Sequence, residues 1–344
     1  MAEETTLVTT NAAAVSTFGT QHTDHMFIAE YKNGSWNRGE LKQFQKIHLS
    51  PFALCLHYGQ TVFEGMKAFR MKDGRLNVFR PEKHFERINS SLTRMQMPDL
   101  PKELFLNGVF EVVRADKDWF EKDEDHALYI RPVVIASEER LGVKVSDEYL
   151  FIVMASPAGK YFVKPLNVKV ETTFTRAFEG GTGYAKCGGN YGAAFYPTHL
   201  ARVQGFDQVI WTDGINHEYI EESGAMNLMF VVDGVLMTPA LSGTILDGIT
   251  RESMLALAAS KGIKIEERKI SVTELEQWFR QGRKIEAFGA GTAAVVAPIK
   301  SIDIEGNKYS PYTGDDAVMF TLKKEMNDIK YGVKKDEWGW NYVL

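Results

Sequence analysis

The sequence has almost no cysteine. Cys55 and Cys187 are the only two in 344 residues and lie far apart, which excludes a disulfide framework and a cysteine-built zinc site and fits a reducing compartment, the cytoplasm. It has no apolar run near the roughly 18 to 20 residues that a membrane-spanning helix needs, so no membrane partner is expected. It has no excess of positive charge either. Against 45 Asp and Glu stand 40 Lys and Arg, a formal net charge of -5, so nothing in the charge balance recruits nucleic acid. The opening MAEETTLVTTNAAAVSTFGTQ lacks the basic start and apolar core of a secretory signal and the basic amphipathic pattern of a mitochondrial presequence, and reads as a loose arm. Repeats and low-complexity tracts are absent.

What is present is an ordinary globular composition, 44% hydrophobic and 25% charged, in a chain long enough for two domains. Asn33-Gly34, Asp73-Gly74, Asp213-Gly214 and Asp233-Gly234 separate β-type stretches and predict hairpin turns, since each pair supplies positive φ cheaply. RPEKHFERINSSLTRM opens a helix with proline and repeats Phe85, Ile88, Leu92 and Met95 at helical spacing. KELFLNGVFEVVRADKDWF predicts a second helix, and ALYIRPVVIAS and EYLFIVMAS predict strands. Proline and glycine then gather in SPAGKYFVKP, which places a connection at 159–168 between a domain at 1–158 and one at 169–344. The later part predicts a strand in LNVKVETTFTR, a helix in YGAAFYPTHLARVQG closed by Gly205, a meander from Asp207 to Pro239, and helices in GITRESMLALAASKG and SVTELEQWFRQG. Ser271-x-x-Glu274 is a capping pattern. The mixture is α+β.

Three motif-like stretches are set aside on local grounds. GAGTAA (289–294) matches a dinucleotide fingerprint, but β-like AVVAPIKSIDI follows it where a helix is required. HEYIE (217–221) resembles a zinc helix, yet after a hairpin turn it belongs to a strand, with His217 and Glu221 on one face. His22, Asp24 and His25 read as exposed members of the opening arm, so no metal site is expected.

GTGYAKCGGNYGAAF (181–195) stands apart, because Lys186 lies among Gly181, Gly183, Gly188 and Gly189. Small neighbours let a planar group approach the backbone, and a desolvated lysine amine is the nucleophile that condenses with an aldehyde. Pyridoxal phosphate is such an aldehyde. It requires in addition a carboxylate for its ring nitrogen and donors for its phosphate. Glu221 and Glu222 are adjacent on a predicted strand, so one is expected to face inward and the other solvent. The start of the helix in LDGITRESM offers free N–H groups to an anion, and Arg87 on the first helix adds a forked cation.

Taken together, LSPFALCLHYGQTVFEGMKAF, ALYIRPVV, KCGGNYGAAF, YIEESGAMNLMFVV, ILDGITRESML and AFGAGTAAVVAP resemble the branched-chain amino acid aminotransferases of the fold-type IV class of pyridoxal phosphate enzymes. The order matches over most of the chain. That resemblance implies a small N-terminal α/β domain, a larger C-terminal pseudo-barrel domain and a homodimer with the cofactor in the interdomain cleft. It implies amino transfer between L-leucine, L-isoleucine or L-valine and 2-oxoglutarate, with small amino and 2-oxo acids as partners. Lys186 is then the Schiff-base lysine and proton carrier, Glu222 the partner of the pyridine nitrogen and Tyr191 that of the phenolic oxygen. Arg87, Ile249, Thr250 and Thr292 form the phosphate cup. Phe63, Tyr129 and Tyr161 wall the substrate pocket, with Tyr58 from the neighbouring subunit, while Thr292 and Ala293 hold the α-carboxylate. Arg131 shares a strand face with Tyr129 and meets the side-chain carboxylate of glutamate. The mammalian Cys-x-x-Cys is replaced by Ala294 and Ala297. Within the same fold the alternatives are a D-amino acid aminotransferase and an aminodeoxychorismate lyase.

Overall fold

A computed structural model describes residues 18–120, 126–159 and 164–344. Most of the opening arm and Tyr161, expected in the substrate pocket, lie outside the described residues. The first half runs β1 (His25–Lys32), β2 (Ser35–Trp36), β3 (Glu40–Gln43), α1 (Leu54–Tyr58), β4 (Thr61–Phe63), β5 (Met66–Arg70), β6 (Leu76–Phe79), α2 (Pro81–Arg94), α3 (Lys102–Ala115), β7 (Ala127–Ala136) and β8 (Tyr149–Ala158). The second half runs β9 (Leu166–Val170), α4 (Gly188–Val203), β10 (Gln208–Thr212), β11 (Ile220–Ser223), β12 (Met226–Val232), β13 (Val235–Thr238), α5 (Ile249–Ser260), β14 (Ile265–Glu267), α6 (Val272–Arg280), β15 (Ile285–Gly291), β16 (Val295–Ile304), β17 (Asn307–Tyr309) and α7 (Val318–Lys330). Finally β18 (Asn341–Val343) returns to the first sheet and pairs antiparallel with β6.

The first sheet has the order β18-β6-β5-β7-β8-β1-β2, with β4 added on β7 and β3 on β1. β7 alternates buried and half-buried positions along its length, the period of a strand with one face against a core. Helix α3 covers that face. Leu104, Phe105, Val109, Val112 and Val113 pack with Phe27, Phe151 and Val153 of β1 and β8, each large side chain contributing about 1.5–3 kcal/mol on burial.

In the second sheet β11, β10, β9, β16, β15 and β12 pair in sequence and β12 pairs back to β11. The result is a closed six-strand barrel. It is not a simple meander, because β9 lies parallel to both β10 and β16. Strand closure of this kind needs partners far apart in sequence, which hairpin signals do not reveal. Helices α5 and α7 pack beside β15 and β16 over a second core built on Met254, Leu257, Met319 and Leu322.

Three of the four turn pairs behave as expected. Asp73-Gly74 turns the chain between antiparallel β5 and β6, with Gly74 at φ 87°. Asn33 and Gly34 have φ of 55° and 80°, and Asp233 and Gly234 have 48° and 86°, the conformation of a tight two-residue hairpin turn. Asp213-Gly214 differs. There the seven-residue loop between β10 and β11 winds around the Asp213 carboxylate, which accepts from the N–H groups of Ile215, Asn216, Glu218 and Tyr219. The loop leaves His217 off the strand at φ 53°, beside the Thr212 hydroxyl, so His217 and Glu221 do not share a strand face. The strand expected over LNVKVETTFTR stops at Val170, because the Glu171 carboxylate accepts from the N–H groups of Thr173 and Phe174 and turns the chain. His25 likewise belongs to β1, with its ring against Asp116 at 2.6 Å.

Candidate active site

Lys186 immediately precedes α4 and is held by the opposite half of the molecule. Its N–H donates to the Ser91 hydroxyl of α2 at 2.9 Å, and its carbonyl accepts from Phe63 of β4 at 3.1 Å. The side chain lies within 5.0 Å of the Phe63 ring centre, and Nζ stands 2.9 Å from the Tyr191 hydroxyl, one turn into α4. Gly183 acts differently from expectation. A Cβ on Gly183 would meet Thr244 and Ala177 at 2.6 Å, so this glycine lets two loops of the same half pack together.

A cavity of roughly 290 Å³ between the two sheets is lined by Phe63, Arg87, Tyr129, Arg131, Lys186 and Tyr191, and across from them by Ile249, Thr250, Thr292 and Ala293. A neighbouring cavity of roughly 310 Å³ shares Lys186, Tyr191, Ala225 and Leu246 with it and reaches Glu222. Eleven of the thirteen residues singled out from the sequence therefore meet in one connected space. Tyr58 does not line it. That residue is exposed at the end of α1, with its hydroxyl donating to the Leu141 carbonyl.

One end of the space is built for an anion. Helix α5 begins at Ile249 behind Gly248 with no side-chain cap, leaving its first N–H groups and the positive end of its dipole directed at the cavity. Arg87 approaches the same end. Its Nε and Nη2 donate to Glu64 at 2.6 and 2.8 Å, and Nη1 donates to the Asp247 carbonyl at 2.8 Å. Arg80 locks the two helices together through Ser253 and Glu252 of α5. Burial by itself would raise the Glu64 carboxyl, but the charges of Arg87 and His84 outweigh it and hold Glu64 well below the usual carboxylate range. His84 is pushed down by its own burial against the pull of Glu64.

The opposite end holds the Glu222 carboxylate, with Glu221 next to it on β11. Glu221 and Glu222 are both buried, so the expectation that one faces solvent is wrong. Segment 242–246 lies over β11 and meets both: Thr244 donates its hydroxyl to Glu221, and the Leu246 N–H donates to Glu222 at 2.7 Å. Burial pushes both carboxyls up, opposed at Glu222 chiefly by Arg176. Between the two ends, Arg131 lies 4.6 Å over the Phe63 ring and reaches the Tyr129 hydroxyl at 3.2 Å. Gly65 gives Tyr129 its place, since a Cβ there would overlap that hydroxyl. Lys67 donates to the Ala293 carbonyl at 2.7 Å.

Glu64, Ser91, Lys67 and Arg176 support this site without having been singled out from the sequence as functional. Glu64 carried a signal, a lone acid in the otherwise apolar VFEGM. The others did not, because their roles depend on contacts between halves of the chain. Chemically, the space offers an amine nucleophile beside a phenol, a carboxylate at one end and an anion cradle at the other. Those are the demands of a phosphorylated pyridine aldehyde.

A profile of the class IV amino-transferases matches residues 61–302. Branched-chain-amino-acid transaminase 1 of Bacillus subtilis is 42% identical over 331 residues, covering 94% of this chain and 92% of that protein. Among solved structures, the branched-chain aminotransferase of Thermoproteus uzoniensis with norvaline superimposes with a TM-score of 0.75 at 28% identity, covering 92% of this chain and 99% of that one. The T.th. branched-chain amino acid aminotransferase complexed with N-(5'-phosphopyridoxyl)-L-glutamate gives 0.75 at 25% identity, covering 91% and 97%.

Proposed function

The chain belongs to the class IV aminotransferase family, and we propose that it exchanges amino groups between branched-chain L-amino acids and 2-oxoglutarate, using the residues assembled above. The reaction is transamination of branched-chain amino acids and the cofactor is pyridoxal 5'-phosphate. When bound, that cofactor supplies an aldehyde to accept the amino group and a protonated ring to withdraw electrons from the substrate. The convergence of Lys186, Tyr191, Glu222, Arg87 and the α5 N-terminus on one connected space carries the reading.

Lys186 Nζ would carry the proton from the substrate α-carbon to the cofactor's C4′ in one half-reaction and move a proton the opposite way in the other. Tyr191, 2.9 Å from Nζ, hydrogen-bonds the phenolic oxygen and aligns the amine. Glu222 binds the ring nitrogen and keeps its proton in place. Arg87, the N–H groups of Ile249 and Thr250, and Thr292 hold the phosphate. Thr292 and Ala293 present N–H groups to the α-carboxylate beside Tyr129. Phe63 with Tyr129 gives the substrate side chain an apolar wall, and Arg131 with its free Nε gives the glutamate carboxylate a cation.

Tyr58 completes the pocket of a second copy. Phe52, Leu56, Leu141 and Val143 lie exposed near it along α1 and segment 141–143, an apolar face suited to a homodimer. We divide the chain into domains at 1–158 and 169–344 joined by 159–168, with β9 starting inside the connection at Leu166 and β18 returning to the first sheet. Two free cysteines favour the cytoplasm, and no helix among the described residues is long and apolar enough to cross a membrane.

The test is a steady-state assay with L-leucine and 2-oxoglutarate. Glutamate should form, Lys186→Ala should abolish it, and borohydride should fix the cofactor on Lys186. Activity on D-alanine with none on L-leucine would overturn the reading.

A further inference from the structure

Arg176 lies in the loop after β9 with 9% of its side chain exposed, against a buried Glu222. Its Nη2 donates to the carbonyls of Gly183, at 3.1 Å, and Thr244, and the same nitrogen stands 3.3 Å from Glu222 Oε1. The two carbonyls belong to separate loops, so they fix the guanidinium independently of Glu222. Thr244 is itself braced through its hydroxyl, which donates to Glu221. Oε1 also accepts the Leu246 N–H. The Leu246 N–H and the Arg176 charge thus both meet Oε1, and Glu222, whose second oxygen has neither, lines the cavity.

We propose that Arg176 is a positioning residue for the cofactor's ring nitrogen: pinned by Gly183 and Thr244, its guanidinium engages Oε1 of Glu222 and leaves Oε2 to bind the ring. This rests on the reading that Glu222 faces that nitrogen. A buried carboxylate with no cation would take up a proton and lose its hold on a protonated ring. Arg176 supplies the nearest positive charge. The other charged groups acting on Glu222 are Lys186 and Arg87 from across the cavity, with Glu221 beside it on β11. A guanidinium keeps its charge at any ordinary working pH, so the support persists through that range. It also limits the pull of Glu222 on the ring proton, so Arg176 sets the balance of charge along the line from Glu222 to the Lys186 amine.

The experiment compares Arg176→Gln, which keeps a donor for the two carbonyls and removes the charge, with Arg176→Lys, which keeps the charge. Full-length protein is loaded with pyridoxal 5'-phosphate and the visible absorbance of the bound cofactor is titrated with pH. Loss of a nearby cation favours protonated forms, so Arg176→Gln should move the midpoint up by about one unit, a tenfold change in proton affinity. Arg176→Lys should move it by less than half as much. Arg94→Met serves as the control for loop packing, because Arg94 donates to the carbonyls of Gly180 and Gly181 and has no contact with Glu222; its midpoint should match wild type. Equal midpoints in the Gln and Lys variants, or a wild-type midpoint in Arg176→Gln, would overturn the proposal. Borohydride labelling in the same samples separates the two levels: cofactor fixed on Lys186 with an unmoved midpoint sinks only the role of Arg176, whereas failure to label Lys186 sinks the functional reading.

Discussion

Lys186 donates its backbone N–H to the side chain of Ser91, ninety-five positions earlier in the chain. The same hydroxyl donates to the Arg87 carbonyl one turn back, so the helix that carries the phosphate arginine also fixes the backbone of the nucleophile. Ser91→Ala leaves a buried N–H unpaired and should lower stability by roughly 1–3 kcal/mol in denaturant titration. It should also lower kcat more than it raises KM, since the amine is displaced and the substrate walls are not.

Glu64→Gln removes the carboxylate that Arg87 and His84 share. Breaking a buried pair from one side costs about 3–5 kcal/mol, and Arg87 loses the fork that aims it, so retention of pyridoxal 5'-phosphate should fall while binding of dephosphorylated pyridoxal changes less. The pH dependence has a definite sign. The folded carboxyl lies below its ordinary value of 4.5, so its stabilisation is complete above that value and is lost as pH falls through the folded one. The gap in stability between wild type and Glu64→Gln should therefore narrow below about pH 4.5; a constant gap down to acid unfolding would contradict the assignment.

Burial, with the charge of Lys323, holds the Lys67 ammonium down to about 8 against an ordinary 10.5. The unfolded chain binds the extra proton between those values, so this group makes wild-type stability rise from about pH 8 to about 10.5. Lys67→Met should abolish that rise. At neutral pH it also frees the Ala293 carbonyl, so KM for both amino acid and 2-oxo acid should increase several-fold. Lys67→Arg should recover most of the affinity, and failure of that rescue would argue against the hydrogen bond as the cause.

Gly65→Ala places a methyl group where the Tyr129 hydroxyl stands. The ring must swing away, because an overlap that short cannot be relaxed by a few tenths of an ångström. Cofactor absorbance should be preserved while KM for L-leucine rises at least tenfold.

Part of the site was legible because its chemistry is local: Lys186 stands among glycines, and Arg87 lies on α2 in line with His84 and Ser91. The roles of Tyr191, Thr292 and the pocket walls came from the family resemblance, not from spacing. The barrel was not legible as a barrel, since the parallel pairings of β9 join Gln208 to Val168 and Ile302 to Val168 with no turn signal between them. Period-two alternation placed Glu221 and Glu222 on opposite faces, which holds for a strand with one wet side. It misjudged exposure here because β11 is covered by segment 242–246. Arg176 and Ser91 were missed for a related reason: a single polar residue gives no sign in sequence of which distant carbonyl or amide it will meet.

The last strand has a consequence for how the molecule comes into being. β18 reaches β6 from more than 260 positions away, with Asn341 and Asn77 joined side chain to side chain. Until those two segments meet, the edge of the first sheet beside β6 stays open. Closing that edge is a long-range step, whose loop must be drawn together before the pairing repays it.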